Sequence, residues 1–166
     1  MDIEFVKKYL FNTEKIEYVH GKKPDVNCIL CALRDNVEEV RSLELYRDES
    51  AIITINLYPF NPGHIMIYPS RHIEDITELT DEEAADIHRL TVKAIKIIRE
   101  EFNPSGFNIG YNIGNGSGAS IAHIHQHIVP RFNNEIGFID VIGGARVFVV
   151  DPVSLMERLK SRFASI

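Results

Sequence analysis

The sequence contains no long apolar run and no excess of positive charge. No segment reaches about 18 consecutive apolar residues, the length that a membrane-spanning helix needs, so we expect no contact with a membrane. Residues 1–21 mix charged and apolar side chains, so we expect no secretory signal and predict a cytoplasmic protein. Lys and Arg number 18 against 24 Asp and Glu, and the net charge of −6 argues against a nucleic-acid partner. A pocket of donors for a small polyanion remains compatible with this charge.

Cysteine is scarce as well. The two cysteines, Cys28 and Cys31, form a single CxxC. In a reducing compartment this spacing favours half of a metal site or a redox pair over a structural disulfide. The chain has 166 residues, of which 45% are hydrophobic and 25% charged, as expected for one globular domain.

Periodicity and turn residues divide the chain into an arm and a main domain. Residues 1–27 combine a short amphipathic helix with a polar connector, and we expect the main domain at 28–166. A long helix is predicted at 80–102, where Thr80 and Glu83 form a capping box. Its apolar stripe is formed by Ala84, Ile87, Leu90, Thr91, Ala94 and Ile98.

Strand-like segments with short links precede and follow this helix, and a last helix is predicted after the cap Asp151 and Pro152. Short links favour antiparallel pairing. Because helices and strands do not alternate regularly, the predicted fold class is α+β.

Three histidines alternate in the segment AHIHQHIVPR: His123, His125 and His127. On a strand they share one face, with Gln126 on the other. Imidazole titrates near neutral pH, so such a cluster indicates a site where proton and charge states matter. The preceding GNGSGAS, which includes Ser120, offers backbone N–H groups and hydroxyls to a phosphate but lacks the Walker ending.

The cysteine pair could hold two corners of a structural zinc site, with His72 and His123 as the candidate remaining ligands. Two buried cysteines or a redox pair remain alternatives. A catalytic zinc on the three strand histidines is disfavoured, because same-face neighbours stand about 7 Å apart.

These motifs together resemble the histidine triad (HIT) family. HIHQHIV is similar to its signature, NLYPFNPGHIMIYPSRHIEDITELTDEE to its strand pair and helix start, the Gly/Ser segment to its phosphate loop, and CILC to its zinc pair. The segment GFIDVIGGARV looks like the diadenosine tetraphosphate (Ap4A) phosphorylase and hydrolase branch. The resemblance implies an antiparallel sheet of about five strands, one long helix, a C-terminal helix and a homodimer.

The resemblance also implies the roles of the phosphate-handling residues. His125 would attack the α-phosphorus and form a nucleotidyl-histidine intermediate, and His127 would donate to phosphate oxygens. Ser120 and Asn112 would hold the phosphate and the bridging oxygen, with backbone groups around Gly118. No cofactor would act at the phosphorus.

Other positions would support these groups. Asn56 would contact the ribose, and His64 would orient the other ring nitrogen of the nucleophile through a local network. His123 would serve either this network or a structural zinc. The implied zinc ligands are Cys28, Cys31, His72 and His123.

The sequence therefore predicts a nucleotidyl hydrolase or transferase that cleaves a dinucleoside polyphosphate, with hydrolysis and phosphorolysis both open. A nucleoside phosphoramidate hydrolase and a non-catalytic nucleotide-binding or zinc module are the alternatives. Two positions depart from the family pattern: Gln126 replaces an apolar residue and is expected to face away from the site, and Ala119 stands where many members carry glutamine.

Overall fold

A computed structural model describes residues 24–133 and 151–164. The predicted N-terminal helix and the segment at 137–147 lie outside these residues. In chain order the helices and strands are α1 Ile29–Arg34, β1 Glu44–Arg47, β2 Ala51–Ile55, β3 Ile65–Pro69, α2 Asp81–Phe102, β4 Gly106–Tyr111, β5 Gln126–Arg131 and α3 Pro152–Phe163. No helix in the described ranges is long and apolar enough to cross a membrane.

The strands form one antiparallel sheet in the order β1-β2-β3-β5-β4. This arrangement confirms the predicted α+β fold with five strands. The central strands β2 and β3 are buried along their whole length, because α2 covers one face and the segment around α1 covers part of the other. One face of the sheet therefore packs against α2 in the main core, and part of the other face packs against α1.

The long helix confirms the prediction made from its caps. Thr80 accepts a hydrogen bond from the backbone N–H of Glu83, whose side chain returns to the N–H of Thr80, and the helix ends before Asn103 in a left-handed conformation. The predicted stripe was wrong at Ala84, which is exposed, and it omitted Ile97, which is buried. Ala84 lies in the first turn, before the helix reaches the core, whereas Ile97 lies beside Ile98 over the sheet.

The last helix begins where the sequence predicts. Asp151 accepts from the N–H of Ser154, and Pro152 occupies the first turn, where its missing N–H has no intrahelical partner to lose. Its apolar side chains pack into the main core with α2 and β1. The opposite face of the sheet is left for the loops that carry the histidines.

Candidate active site

The histidine triad is only partly on a strand. His127 belongs to β5, where it pairs with Met66 on one side and with Gly110 on the other. His123 and His125 precede the strand, so the prediction of one continuous strand was wrong. The chain departs from the ladder because the ring of His123 turns toward the cysteine pair, while the rings of His125 and His127 stay 4.7 Å apart.

One backbone contact defines the proton position on His125. Its Nδ1 lies 2.8 Å from the carbonyl oxygen of His123, so Nδ1 carries the proton and donates it. The lone pair of the neutral ring is then on Nε2. His125 is 4% exposed, and burial lowers its pKa below the ordinary histidine value. The side chain is therefore set up as a neutral nucleophile or base.

Two further contacts define the proton positions on His64 and His127. The backbone N–H of Phe60 donates to Nδ1 of His64 at 3.0 Å, so the proton of neutral His64 is on Nε2. This nitrogen lies 3.0 Å from Nδ1 of His127, which must accept. Neutral His127 therefore carries its own proton on Nε2 and can donate it outward. His64 thus orients His127, and the predicted orientation of His125 is instead supplied by the His123 carbonyl.

The turn before His64 explains its placement. Gly63 has a φ of +81°, where a side chain is strained, and an added Cβ would lie 3.3 Å from Phe102 and Pro130. The side chain of Asn61 donates to the carbonyl oxygen of Pro130 at 2.6 Å and ties this turn to β5. The Pro-Gly-His segment is thus built to hold one imidazole against the next strand.

Two asparagines complete the polar surroundings. The amide nitrogen of Asn112 lies 3.4 Å from Nε2 of His127, at the start of the loop after β4. The side-chain oxygen of Asn56 accepts from the N–H of Tyr58 at 2.9 Å, which fixes the amide with its nitrogen toward His64. The amide groups of both asparagines therefore face the histidine pair.

A cavity of about 320 Å³ opens beside these groups. Its polar lining includes His125, His127, Asn112, Gly118 and Ser120. Its apolar lining includes Leu30, Leu33, Val40, Leu43, Phe60 and Met66, of which Phe60 stacks on His64 and Met66 pairs with His127. A cavity with both polar and apolar lining fits a ligand that carries both a phosphate and a flat base.

The predicted metal ligands come together beside α1, where Cys28 and His72 line a second cavity of about 240 Å³. One donor atom each from Cys28, Cys31, His72 and His123 lies within 4.8 Å of all the others. Sγ to Nδ1 separations are 3.3 Å for Cys31 and His72 and 3.6 Å from either cysteine to His123. A tetrahedral ion at ordinary Zn–S and Zn–N distances would separate sulfur from nitrogen by about 3.5 Å. The four residues therefore fit zinc.

Protonation in this group also fits a cation. Nε2 of His123 donates to the carbonyl oxygen of Pro69 at 2.9 Å, which leaves the Nδ1 lone pair toward the cysteines. Burial lowers the pKa of His123 to about 4, so its ring is neutral. Burial and the neighbouring Cys28 raise the pKa of the Cys31 thiol to about 11, so formation of the thiolate requires a nearby cation.

The sequence alone did not indicate the apolar wall of the cavity. Leu30 lies between the two cysteines of CILC, and Leu33 follows one helical turn after Leu30. The short helix α1 and its N-cap thus supply both cysteines of the metal group (Cys28, Cys31, His72 and His123) and part of the cavity wall. The apolar residues within the CxxC motif were the available signal, but their partners on β2 and β3 are distant in sequence.

The sequence and the fold of this chain are similar to those of known proteins. The HIT domain model matches residues 37–134. A 112-residue alignment is 40% identical to an AP-4-A phosphorylase of Mycobacterium tuberculosis and covers 67% of this chain but 57% of that protein. Protein hit of Bacillus subtilis is 35% identical over 112 residues, or 68% and 76% of the two chains. The crystal structure of a zinc-bound histidine triad family protein from Mycobacterium smegmatis matches with a TM-score of 0.68 at 25% identity, over 84% of this chain and 94% of that one.

Proposed function

The chain belongs to the HIT domain family, and from this premise we propose that it is an enzyme that cleaves a dinucleoside polyphosphate at the α-phosphate. The substrate class is supported by the similarity to the AP-4-A phosphorylase, of which this chain spans 57%. The single observation that carries the chemistry is that Nδ1 of His125 donates to the His123 carbonyl, which leaves the Nε2 lone pair of a residue that lines the cavity.

In the first step, Nε2 of His125 forms a bond to the α-phosphorus while the bond from phosphorus to the bridging oxygen breaks. The leaving nucleotide departs with the electron pair of that bond and takes a proton from solvent. The proton of His125 stays on Nδ1 and is donated to the carbonyl oxygen of His123, and this hydrogen bond stabilises the imidazolium of the intermediate. In the second step, an oxygen of water or of inorganic phosphate bonds to the phosphorus while the N–P bond breaks and its electron pair returns to Nε2. An attacking water releases one proton to solvent, and neutral His125 is regenerated.

Charge that develops on the phosphate oxygens would be met by donors already aimed into the cavity. Nε2–H of His127 is the first, because His64 holds the proton on that nitrogen. Asn112, Ser120 and Gly118 line the same cavity as His127 and would supply further donors. Fixed donors of this kind stabilise a transition state without reorganisation during the reaction.

The remainder of the nucleotide would occupy the rest of the cavity. Asn56 lines it next to the histidine pair and is proposed to contact the ribose, while the apolar lining residues would hold the base. We propose a structural zinc ion on Cys28, Cys31, His72 and His123, with no cofactor acting at the phosphorus. Zinc would hold α1 against the segment before β5.

We also propose a cytoplasmic homodimer. The edge strand β4 is unpaired on one side within the described sheet, and Ile109 is 46% exposed on it. Exposed apolar edge strands favour pairing with a second copy. The reduced cysteines favour a reducing compartment. Light scattering of wild type and Ile109→Lys tests the dimer, which the variant should weaken.

Product analysis tests the proposed activity. The protein is incubated with Ap4A, with and without inorganic phosphate, and AMP, ADP and ATP are quantified. AMP with ATP indicates hydrolysis, and phosphate-dependent ADP with ATP indicates phosphorolysis. The expected result is turnover that His125→Ala abolishes and that His88→Ala, on the exposed side of α2, retains. An absence of cleavage of both Ap4A and adenosine phosphoramidate would refute the enzyme proposal.

A further inference from the structure

Gln126 separates the two histidines of the site, and its side chain faces the opposite side of the sheet. Across the β3–β5 ladder it pairs with Ile67, which packs in the core with α2. The next residue, His127, pairs with Met66 on the cavity side. The expectation that Gln126 faces away from the site is confirmed, but it does not explain why a polar side chain is placed there.

Two hydrogen bonds hold this side chain. Oγ1 of Thr91, which is 6% exposed on α2, lies 2.5 Å from Oε1 of Gln126 and 2.7 Å from the carbonyl oxygen of Ile87, so its one proton is shared between these two acceptors. Nε2 of Gln126 donates to the hydroxyl oxygen of Tyr111 on β4 at 3.1 Å. One amide therefore links β5 to the helix above it and to the last residue of the neighbouring strand.

The position of Gln126 in the sheet makes this link important. It is the first residue of β5 and begins the pairing on both sides, with Ile67 and with Tyr111. His125 lies just outside both ladders, so no strand pairing fixes its backbone. A buried apolar side chain would fill the same space without a preferred direction, whereas two hydrogen bonds define an orientation.

We propose, on the basis of the function proposed above, that Gln126 is a positioning residue for His125 and His127. Thr91 and Tyr111 hold its amide, and the amide fixes the rotation of the strand end from which both histidines project. Small displacements at a reacting centre are costly, because a shift of about 1 Å can reduce the rate by about 100-fold.

Gln126→Leu removes both hydrogen bonds, because it replaces the amide side chain with an apolar one of similar size. Gln126→Leu is expected to lower kcat for Ap4A about tenfold with KM changed less than about twofold. The matched control is Ile128→Val, on the same strand and the same face, which removes one buried methylene without touching a hydrogen bond. It should lower the thermal midpoint and leave kcat unchanged. Equal kcat in Gln126→Leu and wild type would overturn the inference.

Two substitutions of Thr91 test the hydrogen bond between α2 and Gln126 with a smaller change than Gln126→Leu. Thr91→Val removes the hydroxyl and should lower kcat, whereas Thr91→Ser keeps the hydroxyl and should restore it. This pair remains informative if Gln126→Leu does not fold. A loss of kcat in Thr91→Ser equal to that in Thr91→Val would contradict a role for the hydrogen bond.

Ring nitrogen NMR with bound AMP gives a measurement that needs no turnover. Gln126→Leu should shift the ring ¹⁵N resonances of His125 and His127, and Ile128→Val should shift neither. If wild-type protein fails to cleave Ap4A, the proposed function fails while this comparison still tests the positioning. Unchanged resonances in Gln126→Leu would overturn the inference independently of activity.

Discussion

The carbonyl oxygen of His123 accepts a hydrogen bond from Nδ1 of His125 at 2.8 Å, so a residue of the metal group fixes the ring of the proposed nucleophile. The ring of His123 is held in turn by the Pro69 carbonyl and faces the two cysteines. A change in the metal group can therefore reach His125 through a single residue. The metal group and the histidines that line the cavity are therefore connected through His123.

Loss of the proposed zinc ion should weaken both stability and nucleotide cleavage. Cys28→Ala removes one of the four proposed ligands, so we expect this variant to bind no zinc, to unfold at a lower temperature and to cleave Ap4A more slowly. Elemental analysis of the purified protein and thermal unfolding measure the first two effects. His125→Ala is the control and should retain zinc. Zinc that is lost from His125→Ala and retained in Cys28→Ala would instead place the metal at the nucleophile.

Removal of His64 should act through the proton on His127. His64→Ala leaves Nδ1 of His127 without its donor, so the ring no longer has one preferred tautomer. We expect kcat/KM to fall by about tenfold to a hundredfold, and ¹⁵N NMR to show Nε2 of His127 no longer uniformly protonated. His88→Ala, a histidine substitution at an exposed helix position, serves as the comparison. An unchanged His127 tautomer in His64→Ala would contradict the proton assignment.

Features that depend on near neighbours in the chain were predictable from the sequence. Thr80 with Glu83 and Asp151 with Pro152 defined two helix starts, because caps act within one turn. The five-strand antiparallel sheet followed from the family resemblance. Ala84 and Ile97 were misassigned, since helical spacing does not show where along its length a helix meets the sheet.

The site was predicted by residue type more fully than by geometry. Cys28, Cys31, His72 and His123 do converge, as expected. The strand expected at His123 and His125 was not found, because the contacts with the cysteines and with Pro69 draw the chain away from the ladder. Such contacts join residues far apart in sequence, and no local pattern reports them.

The apolar wall of the cavity should affect ligand binding in addition to stability. Leu30→Ala opens a gap between α1 and the sheet, and we expect it to lower the free energy of unfolding by about 2–5 kcal/mol. It should also weaken AMP binding, measured by calorimetry, because Leu30 lines the cavity. Leu155→Ala removes an equally buried leucine on the other face of the sheet and should lower stability without weakening binding. Equal AMP affinity in wild type and Leu30→Ala would argue against this base site.

The proposed mechanism requires that Nε2 of His125 becomes bonded to phosphorus during turnover. Its most direct test is to mix the protein with Ap4A, stop the reaction in alkali, where phosphoramidates survive, and map the modified peptide by mass spectrometry. We expect an adenylyl group on His125 in wild type and none in His125→Ala. An adduct on another residue, or Ap4A cleavage that persists undiminished in His125→Ala, would contradict it.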